Sequence, residues 1–301
     1  MEFRHPNEQE LKNILVQLNH EFIFSRGRTL PLEKRFPGLY SSSNLNALFG
    51  LFDSGTCLSF VATKPLYIKK EGKVVKAFEI GSVFTPPLFR HHGYSGQLLD
   101  FVCKQYGMQQ FKAGYLWTSL HGHYEQLGWR RNDKYEVIVI RNAKNEKPSN
   151  IQEMTSVPPI IHKMTQDDAV QLAKQSQGAI VRPSDGSSYF TTLPPSDQSI
   201  AYINQNQSYL CGGVKNKTGY VLELKAQTAH EVEGLLKYFF HQEKLEEIWL
   251  NCEMRSDLEK YVISSFKDIE FRRFELQMCL ALDKEEKDFY EQLPIPFLDR
   301  I

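Results

Sequence analysis

The 301-residue chain is poor in the features that mark secreted, membrane or nucleic-acid-binding proteins. Its five cysteines (Cys57, Cys103, Cys211, Cys252 and Cys279) are odd in number, far apart and without a Cys-x-x-Cys pair. Neither a disulfide framework nor a zinc knuckle is suggested, and buried, reduced thiols are expected. No apolar run approaches the roughly 18 residues that a membrane helix needs. Residues 1–6 (MEFRHP) lack the basic start and apolar stretch of a secretory signal. The expected location is cytoplasmic, without membrane contact. Net charge is also missing, with 36 Lys and Arg against 36 Asp and Glu. The balance is uneven, however: residues 1–145 hold 19 basic and 12 acidic side chains, which makes the first half the better host for an anion. No concentrated basic stripe accompanies this excess, so a nucleic-acid partner is set aside.

What is present is globular material, 41% apolar and 24% charged, in a chain long enough for two domains. Residues 142–159 are polar, hold three prolines and keep no period of 2 or 3.6, so they read as a linker. Upstream, Leu11, Ile14, Leu15 and Leu18 have the spacing of an amphipathic helix over residues 7–24. Strand patterns follow at 47–52, 57–68 and 74–85, the last two joined as a hairpin by the turn KKEGK. A short helix is expected at 97–106, a strand at 115–119, a helix at 122–127 closed by Gly128, and a final strand at 135–141. The rhythm recurs downstream, with helices at 166–177, 229–243 and 257–266 and strands at 199–203, 209–214, 220–226, 247–252 and 274–282. The matching order points to an internal duplication. The apolar strand at 274–282 (FELQMCLAL) is either shared at an interface or ordinary core. The charged, proline-bearing tail after Asp283 is expected to be a packing arm.

The most informative segment is AFEIGSVFTPPLFRHHGYSGQLL, residues 77–99. A strand ends in two prolines, a short loop carries Arg90 to Gly96, and a helix opens at once. A helix N-terminus leaves its first amide N–H groups unpaired, and with the macrodipole they attract phosphate oxygens. Gly93, Ser95 and Gly96 are small enough for backbone to approach a ligand closely. On these residues alone, a tight strand-to-helix turn explains the glycines as well.

The pattern Arg-x-x-Gly-x-Ser at Arg90 to Ser95 resembles motif A of the GNAT superfamily of acetyl-CoA-dependent N-acetyltransferases, usually Gln/Arg-x-x-Gly-x-Gly/Ala. A second segment, YLWTS at 115–119 followed by HYEQLGW at 123–129, is similar to the family's fifth strand and its Tyr-x-x-x-Gly-Phe/Trp helix end. The resemblance covers about residues 5–141. Ser95 stands where Gly or Ala is usual, and His91 and His92 where basic residues or glycine are common. Neutral imidazoles attract a diphosphate less than lysine does, which predicts reduced cofactor affinity. The resemblance implies an α/β (α+β) fold of tandem GNAT-like domains, each a mixed, mostly antiparallel sheet flanked by helices, with a splayed strand pair in the first. It implies acetyl-CoA as co-substrate and no metal.

Carried over residue by residue, Val83, Phe84 and Thr85 would face the pantetheine, and Arg90, His91, His92, Gly93, Tyr94, Ser95 and Gly96 would hold the diphosphate. Tyr124 falls at the family's tyrosine position and would be the general acid, since a phenol near pKa 10 can protonate a thiolate. Its alternative is aromatic packing at the helix end. Glu79 lies where histone-acetylating members carry their general base, and the alternative is a salt-bridged carboxylate on the strand's solvent side. His121 and His123 have metal-like spacing but no evident third ligand. Trp117 and Trp129 are core residues or line an acceptor pocket. The loop at 25–43, with Arg26, Arg28, Arg35, Phe36 and Tyr40, lies where the family places acceptor specificity; a solvated basic loop is the other account.

In the second half, the strand at 220–226 runs into QTAHEV with no glycine, so a diphosphate would meet side chains instead of backbone. The expected plan is a GNAT acetyltransferase domain at 1–145, a linker at 146–159, a degenerate GNAT-like domain without a phosphate loop at 160–285, and a C-terminal tail at 286–301. The expected activity is acetyl transfer from acetyl-CoA to a primary amine of a small molecule or protein by direct attack, in a monomer or homodimer. A catalytically inactive CoA-binding or protein-interaction module is the alternative.

Overall fold

The computed structural model describes residues 1–141, 160–176, 178–193, 195–296 and 299–300. The linker expected at 146–159 lies outside the described residues. Elements run in the order β1 (Glu2–Arg4), α1 (Glu8–Phe22), α2 (Leu32–Arg35), β2 (Leu48–Asp53), β3 (Thr56–Lys70), β4 (Lys73–Phe84), α3 (Tyr94–Met108), β5 (Ala113–Trp117), α4 (His121–Glu125), β6 (Arg130–Arg131) and β7 (Tyr135–Arg141). They continue with β8 (Ile161–Lys163), α5 (Gln166–Gln175), β9 (Ile200–Asn204), β10 (Tyr209–Lys215), β11 (Thr218–Lys225), α6 (Ala229–Gln242), β12 (Glu247–Glu253), α7 (Asp257–Ser265), β13 (Ile269–Arg272), β14 (Gln277–Ala281) and α8 (Lys287–Gln292).

Local chemistry explains several boundaries. Helix α1 starts at a capping box: Asn7 Oδ1 accepts from the Glu10 amide at 2.8 Å, and Glu10 Oε2 accepts from the Asn7 amide at 2.8 Å. Its Leu11, Ile14 and Leu18 are buried, one stripe against the sheet. The β3–β4 hairpin closes between Lys70 and Lys73. Glu71 and Gly72 both take positive φ there, the geometry that matches the twist of a two-residue hairpin.

Two seven-stranded sheets result, ordered β1-β2-β3-β4-β5-β14-β6 and β13-β7-β12-β11-β10-β9-β8. Each is antiparallel except for one pair, β4 with β5 and β11 with β12. The halves exchange strands. The strand at 135–141, expected to finish the first half's own sheet, lies instead between β12 and β13 in the second. In return β14 lies in the first sheet between β5 and β6, so the strand expected at 274–282 is shared between the halves. Val137 to Ile140 are all buried, as a strand covered on both faces requires.

In the first sheet α3 covers one face through Leu98, Leu99 and Val102, packed on Phe49, Val61, Phe78 and Ile80. The opposite face meets α1 near Phe60 and Ala62 and the C-terminal segment near Tyr115 and Cys279, where Tyr290 and Ile295 are fully buried. The tail is thus packed into the fold. Asp299 accepts two bonds from Arg182 at 2.8 Å, and the Arg300 guanidinium lies 5.2 Å from the ring centres of Trp117 and Tyr135.

Candidate functional site

The first sheet forks at β4 and β5. Their parallel pairing covers Phe78 with Gly114 through Ile80 with Leu116 and stops there, although β4 continues to Phe84. Two causes are visible. An extra residue enters β4 opposite β3 between Gly81 and Phe84, and Ser82 takes φ of 49°, a bulge that bends the strand. The end of β5 is held from the other side, with the Thr118 amide donating to the Leu276 carbonyl at 2.9 Å beside β14. The bulge is fastened by a 2.6 Å hydrogen bond between the hydroxyls of Tyr40 and Ser82.

Beyond the fork, residues 87–89 make one short turn and α3 begins at Tyr94 behind Gly93, whose φ is 76°. The helix starts three residues before the position expected from periodicity. No side chain caps it. The Gln97 amide is the first to find an acceptor, the Gly93 carbonyl at 3.1 Å, and no described residue accepts from the amides of residues 91–96. His91 has φ of 66°, so the loop holds two left-handed residues within three positions. Six successive amides without protein acceptors at a helix N-terminus form a cradle for an anion.

These parts converge on a cleft of about 940 Å³. Val83, Phe84, Thr85, Arg90, His91, Gly93, Tyr94, Ser95 and Tyr124 all line it. His92 and Gly96 belong to the loop without lining the cleft, and His92 Nδ1 lies 2.8 Å from the Arg90 carbonyl. Arg90 is fixed by the Thr85 carbonyl at 3.1 Å and by Glu21 at 3.2 Å. Ser95 Oγ lies 3.4 Å from His123 Nε2 across the mouth. The cleft passes through the sheet: Glu21, Phe22 and Arg26 come from the α1 face, whereas Ser95 and Tyr124 come from the α3 face.

Tyr124 is 7% exposed, set edge-on to His123 and Trp129. Its hydroxyl makes no hydrogen bond to a described residue, and burial pushes the phenol up to about 12. Glu79 does not line the cleft. It stands one residue below the last paired level of the fork, in register with Lys64 and Tyr115 and on their face of the sheet. Its side chain is fully buried; Lys64 Nζ lies 3.1 Å away but off the direction a hydrogen bond needs, so neither carboxylate oxygen accepts one. Burial raises the carboxyl to about 7 against the opposing pull of Lys64. Trp117 Nε1, on the same face, is also buried without an acceptor.

Other candidates separate. Trp129 is core. His121 Nε2 is bonded to the Glu275 carbonyl at 2.7 Å, and among the described residues no cluster of three or more His, Cys, Asp or Glu is placed to hold a metal. Arg35 is buried on Asp197 and the Ser196 carbonyl, which ties the 25–43 loop to the second half. Sequence reasoning did not single out Ser82, Ser119 or Glu21. Ser82 is signalled only by its positive φ, which the sequence does not display.

The second half has the same fork and closes it. Pairing of β11 with β12 stops at Val221 and Leu250, and Asn251 Nδ2 donates to the Val221 carbonyl at 2.8 Å, filling the gap. At the N-terminus of α6, Glu231 accepts from the amides of Gln227 at 2.9 Å and Thr228 at 3.2 Å. A carboxylate of the chain already sits where an anion would go.

A tandem pair of forked, mostly antiparallel sheets flanked by helices, one with an open amide cradle, is the fold of tandem GNAT proteins. Residues 2–131 match the model of the family described as acetyltransferase (GNAT) domain. No curated protein matches the chain. Its fold is similar to a conserved protein of Enterococcus faecalis V583 described as a probable N-acyltransferase, with 15% identity, TM-score 0.70, and coverage of 93% of this chain and 72% of that one. It is also similar to a tandem GNAT protein from the clavulanic acid biosynthesis pathway (8% identity, TM-score 0.54, 94% and 98% covered). A third likeness is Saccharomyces cerevisiae N-myristoyltransferase with bound myristoyl-CoA (10% identity, TM-score 0.55, 93% and 80% covered).

Proposed function

We propose that the protein is a cytoplasmic N-acetyltransferase that moves an acetyl group from acetyl-CoA to a primary amine at the first-half cleft. The observation that carries this reading is the run of acceptor-free amides at 91–96 beside an open strand fork. These residues fit the co-substrate: the amides and Arg90 would hold its diphosphate, and the unpaired edge of β4 at Val83 to Thr85 would hold its pantetheine. When bound, acetyl-CoA supplies an acyl group activated as a thioester. Tyr124 Oη holds a proton at every ordinary pH, because burial raises it to about 12, and would deliver it to the departing thiolate. Glu79, buried at the foot of the fork on the α1 face and outside the cleft lining, would take the amine's proton through a bridging water, its carboxyl lying at about 7.

The test is acetyl-CoA binding by thermal shift together with thiol release over a panel of amines. Binding and turnover, the latter lost in Tyr124→Phe, are expected. A thermal shift with no turnover on any amine would favour an inactive CoA-binding module, and no shift at millimolar acetyl-CoA would refute both.

A further inference from the structure

The two banks of the cleft differ in how their charges are neutralised. On the α1 bank, the segment that follows the helix carries three guanidiniums, Arg26, Arg28 and Arg35, of which Arg26 lines the cleft. Arg35 is matched by Asp197, and Asp197 is filled, since it also accepts from Thr29 Oγ1 at 2.5 Å. Glu21, the acid that lines this bank, is held by Arg90 at 3.2 Å. Among the described residues no carboxylate lies within ion-pair distance of Arg26 or Arg28. The Arg26 guanidinium lies 5.4 Å from the centre of the Phe22 ring, itself a wall of the cleft, and Arg28 stands behind it with one N–H on the Phe22 carbonyl at 3.3 Å. Burial first, then the like charges of Arg26 and Arg35, pull Arg28 below its ordinary value against the opposing charge of Asp197.

We infer that Arg26, reinforced by Arg28, binds an anionic group on the acceptor, so that the preferred substrate is an amine carrying a carboxylate beside an apolar body. This rests on the amine-acetylating reading above and goes beyond it. The acceptor is favoured over the co-substrate's own phosphates because Arg26 enters the cleft from the segment after α1, whereas the N–H groups free for a diphosphate lie in the loop that starts α3. Phe22, Phe84 and Phe89 adjoin it and suit an apolar body. A guanidinium grips a carboxylate through two parallel hydrogen bonds, and such charge-assisted pairs are about twice as strong as neutral ones.

The experiment uses matched probes that differ only in the carboxylate: phenylalanine with phenylalaninamide and phenethylamine, and leucine with leucinamide and isoamylamine. Each probe is titrated by calorimetry into the CoA-saturated protein, and acetyl transfer to each is followed by thiol release. The carboxylated member should bind about 10-fold more tightly than its neutral partners, and Arg26→Gln, an exposed position that leaves the core intact, should abolish that preference. Arg26→Lys should restore part of it, while CoA affinity stays within about two-fold in both variants. The inference is overturned if no carboxylated probe exceeds its neutral partners by two-fold. It is equally overturned if Arg26→Gln weakens CoA but not dephospho-CoA, which would assign the side chain to the nucleotide's ribose phosphate. Carboxylate-dependent binding without any acetyl transfer would uphold the site and refute the enzymatic reading instead.

Discussion

Replacing Glu79 by Gln removes one charge from a fully buried place, and the resulting gain in stability should grow with pH. The wild-type carboxyl lies at about 7 in the fold against an ordinary 4.5. At about 1.4 kcal/mol per factor of ten, its ionisation in the folded chain costs roughly 3 kcal/mol more than in the unfolded one. Because the folded value is raised, the stability is fully present below about 4.5 and is lost as pH rises through about 7. Glutamine keeps the shape and does not ionise. The folded value of about 7 already contains the pull of Lys64 and Arg300, so Glu79→Gln should gain roughly 3 kcal/mol at pH 8 and about 1 kcal/mol at pH 5, a difference of about 2 kcal/mol between the two. In a chain of this length that is on the order of 4 °C in Tm. Scanning calorimetry of both proteins at pH 5 and pH 8 measures it. An equal difference at the two pH values would refute the argument that burial burdens the ionised form. Activity reads the chemical role separately: thiol release by the wild type should climb across pH 7, and a Glu79→Gln enzyme with unaltered rates would remove this residue from proton transfer.

Tyr124→Phe deletes a hydroxyl without a described hydrogen-bond partner, so Tm should move little while kcat falls about 100-fold with CoA affinity unchanged; a full-rate variant counts against the acid role. Ser95→Asp puts a carboxylate in the first turn of α3, which should raise stability by about 0.5 kcal/mol and weaken CoA more than about 100-fold by calorimetry, opposite signs from one charge. Unweakened binding would dismiss the cradle at 91–96. Glu231→Ala uncaps α6 at a cost of about 1 kcal/mol, and titration of the wild type should show one CoA per chain; two would contradict the closed fork of the second half.

Periodicity located α1 and the β3–β4 hairpin closely because one face of each is apolar and the turn residues are of the required type. It placed the start of α3 late, since the apolar repeat begins at Leu98 whereas the helix is started by the left-handed backbone of Gly93. The destination of β7 was hidden for a different reason. Val-Ile-Val-Ile is apolar on both faces, which says that a strand is central and nothing about which sheet surrounds it. The short strands β1, β6 and β13 offer two to four residues, too few to show alternation. At the site, the motif residues were legible, but the groups that fix them are distant in sequence: Ser82 is held by Tyr40, and Arg35 by Asp197. Glu79 does meet a lysine, as a salt-bridged carboxylate should, yet it does so in the interior. Burial of a charged strand residue depends on what covers the sheet, here the C-terminal segment more than 200 positions away.

The reciprocal strands β7 and β14 make the two halves mutually dependent lattices. Severing the backbone anywhere between 141 and 160 would therefore yield fragments that co-purify and melt together in one transition. Each, expressed alone, would expose raw sheet edges and precipitate. A pair of split genes that regain solubility only when co-expressed would be the practical reward of that interlock.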